Sequence, residues 1–244
     1  MKYKILYIAL MLTSLNSVAQ TKKTSKDSVL LITYTEKLNA PPIVHASLKK
    51  LIISKTSSYY FFINAEELVD NRELYPGIIK VKDSNYLLHN GPMYPKYNAD
   101  TYWVDSLFPM KWKLLSKRII FKGKEVREAT TFFRGRFYTA YYDPNIPISD
   151  GPYKFGGLPG LIVKLYDEEH NWDFELESIE NYKLPFKPKK IYIAGDFNAY
   201  KILWKEWDRR ISEKAKSKEK LDPNCLNCIS AEPKRYSIEK GLFD

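Results

Sequence analysis

The stretch RIIFKGKEVREATTFFRGRFYTAYY, residues 118–142, decides the fold. It holds three short runs rich in β-branched and aromatic residues: Arg118–Phe121, Glu125–Phe133 and Arg136–Tyr142. Lys122-Gly123 joins the first two, and Arg134-Gly135 joins the second pair. Glycine in so short a connection supplies the positive φ that tight hairpins demand, so the stretch predicts an antiparallel meander. Downstream, Leu161, Val163 and Leu165 alternate with Lys164 and Tyr166. Beyond Asp167–Asn171, Trp172, Phe174 and Leu176 alternate with Asp173, Glu175 and Glu177. Period-two alternation places one face on a core and the other in water, which predicts a second hairpin.

Upstream, Val29–Thr35, Leu51–Ser54 and Ser58–Asn64 read as further strands, the last carrying Tyr59-Tyr60-Phe61-Phe62. Asp70–Tyr97 is less regular, with turn chemistry at Asp70-Asn71, Pro76-Gly77 and Asn90-Gly91-Pro92. One segment breaks the β pattern. From Asp196, an N-cap residue, Phe197, Tyr200, Leu203, Trp204, Trp207 and Ile211 recur at helical spacing, which predicts a helix over 196–219. An aromatic stripe of this kind is ordinarily the face that packs on a sheet; a ligand or partner groove is the alternative.

No linker signature interrupts residues 28–220. The fold class expected is therefore mainly β with α (α+β): a single curved antiparallel sheet, a meander or half-barrel, with one C-terminal amphipathic helix packed on it. At the N-terminus, Lys2 and Lys4 precede the apolar run Ile5–Leu12, and Ser17-Val18-Ala19 presents small residues at the positions a signal peptidase reads. The expectation is a signal peptide over 1–19 cleaved after Ala19, a flexible segment over 20–27, one β-rich domain over 28–220 and a tail over 221–244. The run is too short for a membrane span, which needs about 20 mainly apolar residues. An exported, periplasmic or secreted protein follows, one that does not span a membrane.

The formal charge is +10 over 244 residues, and Lys2 and Lys4 leave with the signal. Such a balance suits an anionic surface as partner, or simply solubility. The compartment argues against nucleic acid.

The densest motif is IPISDGPYKFGGLPGLI, residues 146–162. Gly151-Pro152 favours an extended or turning start, and Gly156-Gly157 permits close backbone approach. Leu158-Pro159-Gly160-Leu161 suits a type II turn with Gly160 at positive φ. Leu161 and Ile162 then open a strand. A phosphate cradle would need a helix after the glycines and a Gly-Lys-Ser/Thr; neither is present, so the motif reads as structural. At these residues the sequence resembles the GLPGLI family of exported Bacteroidota proteins, in the hexapeptide Gly157–Ile162. The likeness extends to Ala129-Thr130-Thr131, Gly135-Arg136, Ile146-Pro147 and Gly151-Pro152. It implies a cell-envelope protein and supplies no mechanism. Val126 stands where members often carry a cysteine.

Cys225 and Cys228 are the two cysteines, spaced C-x-x-C. Outside the cytoplasm their simplest state is a disulfide closing a small loop. A zinc or copper(I) clip and a redox pair remain open. Extra metal ligands would have to come from the scattered His45, His89 and His170, so no metal or other cofactor is expected. Asp143, Asp150, Asp167, Glu168 and Glu169 flank the motif and read as solvated turn residues. No catalytic residue is assigned, since hydrolase signatures are missing. The function expected is a non-enzymatic periplasmic binding or carrier protein for a lipid, a peptide or a partner protein. A metal-handling protein using the cysteine pair is the first alternative. An enzyme with a site assembled beside Tyr142-Asp143 and Arg136 is the second.

Overall fold

The computed structural model describes residues 29–40, 43–62, 76–90, 100–106, 110–182 and 190–221. The segments read as signal peptide and flexible start, and Cys225 and Cys228, lie outside the described residues. In chain order the elements are β1 (Val29–Ala40), β2 (Ile43–Ile53), β3 (Ser57–Phe61), β4 (Ile78–Val81), β5 (Leu87–Asn90) and β6 (Thr101–Asp105). They continue with β7 (Lys113–Phe121), β8 (Lys124–Phe133), β9 (Arg136–Asp143), β10 (Leu161–Asp167), β11 (Trp172–Tyr182), β12 (Tyr192–Asp196) and α1 (Phe197–Leu221).

The twelve strands of the described residues form one open sheet, ordered β12-β6-β5-β4-β3-β2-β1-β11-β10-β9-β8-β7. The expected meander is present as β7, β8 and β9. Its two connections place Lys122 (φ 46°) with Gly123 (φ 76°) and Arg134 (φ 51°) with Gly135 (φ 82°). Positive φ at both central residues is the geometry of type I′ turns, whose twist matches that of the strands. The second hairpin is β10–β11, with Leu165 opposite Phe174.

One pairing departs from the expected antiparallel plan. β12 runs parallel to β6, with Tyr192 opposite Thr101. A parallel neighbour requires a crossover connection, and here the chain reaches β12 only after building the whole opposite half of the sheet. β4, β5 and β6 lie in or beside the stretch that sequence pattern left irregular.

The sheet must curl. β6 and β7 stand ten places apart in the strand order, a separation of about 48 Å in a flat sheet at about 4.8 Å per strand. Yet the eight residue steps from Asp105 to Lys113 span at most about 29 Å at about 3.6 Å per residue. Arg134, at the β8–β9 turn, also forms an ion pair with Asp105 on β6. The two wings of the sheet therefore face each other across an interior, as a half-barrel requires.

That interior is filled by the main core, which includes Ile32, Tyr34, Leu51, Tyr60, Ile78, Leu87, Tyr138, Phe155 and Phe174. The opposite face carries a second cluster, including Ile52, Phe61, Leu88 and Tyr102. α1 begins where the sequence places it. The Asp196 carboxylate accepts the amides of Asn198 (3.1 Å) and Ala199 (3.0 Å), which caps the first turn. Tyr200 and Leu203 pack with Trp103 of β6, so the stripe meets the sheet as expected for Tyr200, Leu203 and their neighbours; the Ile211 side chain lies outside the described residues. Among the described residues, no helix is long and apolar enough to cross a membrane.

Candidate functional site

Between β9 and β10 the glycine-proline segment passes through the curled interior. Tyr153, Phe155 and Leu158 bury themselves in the main core, while Gly157 and Pro159 face outward. A backbone buried this way needs a partner for each polar group. Lys80 of β4 serves two: its ammonium donates to the carbonyls of Gly151 (2.7 Å) and Phe155 (3.0 Å), and it also pairs with the Asp150 carboxylate. The Trp112 indole donates to Gly156 O at 2.8 Å, and the Tyr34 hydroxyl to Ile162 O at 2.8 Å. Burial pulls the Lys80 ammonium below its usual range, against the opposing attraction of Asp150.

Glycine is required here for space as well as conformation. A Cβ on Gly151 would stand 2.7 Å from Ile162 Cδ1, and one on Gly160 (φ 153°) only 2.3 Å from Asp143 O. The expected type II turn is not formed. Gly160 N donates to Leu158 O at 2.8 Å, and Leu161 N turns away to Ile146 O at 3.1 Å. This is a three-residue turn centred on Pro159, favoured because the amide of Leu161 anchors the two ends of the segment together instead. Tyr153 holds φ 50°, uncommon for an aromatic residue, and its ring fits against Phe62, His89 and Tyr60.

Next to this segment lies a buried ionic hub. Asp105 is fully buried, and its carboxylate takes Lys154 Nζ at 2.9 Å together with the Arg134 guanidinium. Both cations also lie over the Phe197 ring of α1, Arg134 at 3.6 Å and Lys154 at 4.9 Å from its centroid. The hub thus joins β6, the β8–β9 turn, the loop and the helix. It also explains why Arg134 tolerates a left-handed φ. Beyond it, the His89 ring packs against Tyr200, tilted by 42° with centroids 4.6 Å apart. Burial, then Lys154 and Arg134, push its imidazole well below the usual range, which keeps it neutral. At Glu36, burial raises the carboxyl above its usual range, opposed by Lys49 and by the Tyr60 hydroxyl at 3.0 Å.

The aspartates read from sequence as solvated are not. Asp143, Asp150 and Asp167 are all buried, whereas Glu168 and Glu169 are exposed. Asp150 and Asp167 have partners distant in sequence, whereas Asp143 is served within its own turn. Asp167 accepts from Arg136 (2.9 Å) and from the Trp172 amide (2.8 Å), and Asp143 accepts from the Asn145 amide (2.9 Å). The structure does not bring Arg136 and Asp143 together. They begin and end β9, about 23 Å apart at about 3.3 Å per residue. Among the described residues no group of three or more His, Cys, Asp or Glu side chains is placed to hold a metal.

An open cavity of about 720 Å³ lies between the loop, the ends of β3 and β4, and the turns of β2–β3 and β4–β5. Asp150, Gly156 and Gly157 of the motif form part of its wall, with Ile148 and Met110 beside them. Facing them are Ser58, Lys80 and Lys82. None of these lysines or serines stood out in the sequence. The only signal for Lys80 is a charge set among Ile78, Ile79 and Val81.

Comparison with known proteins bears on this region directly. A family model described as a protein of unknown function (Porph_ging) matches residues 106–164. The matched segment is the loop with its flanking strands. Among solved structures, PNGF-II in its P21 space group is similar with a TM-score of 0.53 at 17% identity, over 73% of this chain and 34% of that one. In its C2 space group the TM-score is 0.52 at 16% identity, over 71% and 32%. The chain thus spans about a third of the length of PNGF-II, and at this identity the likeness is one of fold. Comparison with curated proteins gave no match.

Proposed function

We propose that this chain is an exported cell-envelope protein of the GLPGLI type that works by binding, and that its ligand occupies the cavity beside the loop. The observation that carries this reading is the cavity itself. At about 720 Å³ it falls within the size range of small-molecule sites, and it mixes apolar walls with a few convergent polar groups. The densest motif of the sequence forms one of its walls. A binding role asks no catalytic group of the site, which agrees with a loop whose buried polar groups are already engaged by Lys80, Trp112 and Tyr34.

Native mass spectrometry of the full chain purified from an envelope fraction tests this. A bound small molecule is expected on the wild type and not on Ser149→Trp, which places a large ring at an exposed position of the cavity wall. Adducts equal in the two proteins, or missing from both with no thermal stabilisation by an envelope extract, would remove the reading.

A further inference from the structure

The cavity is two-sided. Apolar side chains come from Leu30 and Ile53 at the strand ends and from Met110 and Ile148 beside the loop. Polar and basic ones come from β3, β4 and the turns that flank them, β2–β3 and β4–β5: Lys55, Ser58, Lys80 and Lys82. Four lysines line the cavity against two aspartates, the fourth being Lys154. Lys154 and Lys80 are held by Asp105 and Asp150. Lys55 and Lys82 are exposed, with Asp83 the acidic neighbour of Lys82 on the β4–β5 turn. Lys82 is positioned by donating to Ser54 O at 2.5 Å.

Ser58 supplies an independent observation. It is 1% exposed, lines the cavity, and its hydroxyl has no hydrogen-bond partner among the described residues. Ser58 sits directly opposite Lys80 in the β3–β4 register, where facing side chains lie about 5 Å apart. A buried hydroxyl without a partner is costly, and a ligand oxygen would remove that cost.

Resting on the binding reading above, we infer that the ligand is an acidic amphiphile. Its carboxylate or phosphate lies along the Ser58–Lys82 side, and its apolar body lies against Leu30, Ile53, Met110 and Ile148. A carboxylate and a phosphate monoester share the chemistry required, an anion with several acceptor oxygens. Neutral or cationic amphiphiles of the same length leave Ser58 and the lysines unserved.

Isothermal titration of the full chain with decanoate, decyl phosphate, decanol and decyltrimethylammonium, all below their micelle concentrations, tests this. Decanoate or decyl phosphate is expected to bind at least tenfold more tightly than decanol. Which of the two is tighter identifies the acid. Octanoate should bind about fifteenfold more weakly than decanoate, from about 0.8 kcal/mol for each buried methylene. Lys82→Met should weaken acid binding about two- to fivefold, as for an exposed charge pair, and Ser58→Ala should weaken it without altering decanol. Decanol binding as tightly as decanoate overturns the acid assignment and leaves cavity binding standing. Tighter binding of the cation does the same. Failure of all four to bind overturns both.

Discussion

Replacing Lys154 by methionine should destabilise the protein by about 3 kcal/mol while leaving its packing intact. The Lys154 side chain is fully buried, and its ammonium lies 2.9 Å from an equally buried Asp105 carboxylate. Methionine keeps most of the stem volume, so the change removes charge and leaves no large void. Breaking a buried ion pair by deleting one partner costs about 3–5 kcal/mol, because the other charge stays behind. Arg134 remains on Asp105, which sets the expectation at the lower end; the lost contact over the Phe197 ring adds about 0.5–1 kcal/mol. For a urea slope of about 3 kcal/mol/M, the midpoint should fall by about 1 M, followed by the fluorescence of Trp103 and Trp112. A double-mutant cycle with Asp105→Asn should give a coupling of about 2–3 kcal/mol. Lys117→Met is the control: its pair with Glu128 is 3.7 Å long, and its side chain is 70% exposed, so less than about 1 kcal/mol is expected. A loss below about 1 kcal/mol for Lys154→Met, or zero coupling to Asp105, would refute the claim that this hub fastens the loop and helix to β6.

Two further outcomes are expected. Gly160→Ala should cost at least about 2 kcal/mol, because its new methyl would lie 2.3 Å from Asp143 O at φ 153°; Gly123→Ala, with nothing within 4 Å, should cost only about 1 kcal/mol of left-handed strain. Equal urea midpoints for the two variants would contradict this. The pH dependence has two opposing parts. Glu36 is raised above 4.5, so the stability it contributes is full below 4.5 and lost as pH rises through its folded value. His89, facing Lys154 of the loop, Arg134 of the β8–β9 turn and Tyr200 of α1, is lowered below 6.5, so its share is full above 6.5 and lost on acidification. Glu36→Gln should therefore gain on the wild type as pH rises above 4.5. His89→Gln should lose the decline below 6.5, which is at most about 1.4 kcal/mol per pH unit for one group. Urea midpoints that run parallel for wild type and variants across pH 4.5–7.5 would rule the assignments out.

The wing built from β7 to β11 was legible because its strands are long and face two environments. Alternation around Trp172, Phe174 and Leu176, and the glycines at 123 and 135, carry the whole hairpin plan. β4 and β5 were not legible, since strands of four residues with Ile78-Ile79 or Leu87-Leu88 buried on both faces show no period at all. The parallel addition of β12 depends on where the rest of the sheet leaves an edge. The buried aspartates escaped notice for a related reason: Lys154 is 49 residues from Asp105, and Lys80 is 70 from Asp150. Only the curl of the sheet brings such pairs together. The capped helix, whose signals are all local, was found within two residues of its ends.

Under the proposed binding role, the motif and the Ser58–Lys82 side of the cavity divide the work between them. A loop threaded through a curled sheet must satisfy its own backbone, and the glycines and prolines of residues 151–160 do this with help from Lys80, Trp112 and Tyr34. With its polar groups so occupied, the loop can shape the cavity but has little left with which to recognise a ligand. In the binding reading proposed above, recognition falls to Ser58, Lys55 and Lys82, residues whose types are ordinary for a strand and two turns. Substitutions in the loop should accordingly change stability first and binding only in proportion. Substitutions at Lys82 should change binding with the urea midpoint unmoved. A loop variant that abolished decanoate binding at full stability would reverse that division and make the motif itself the recognition element.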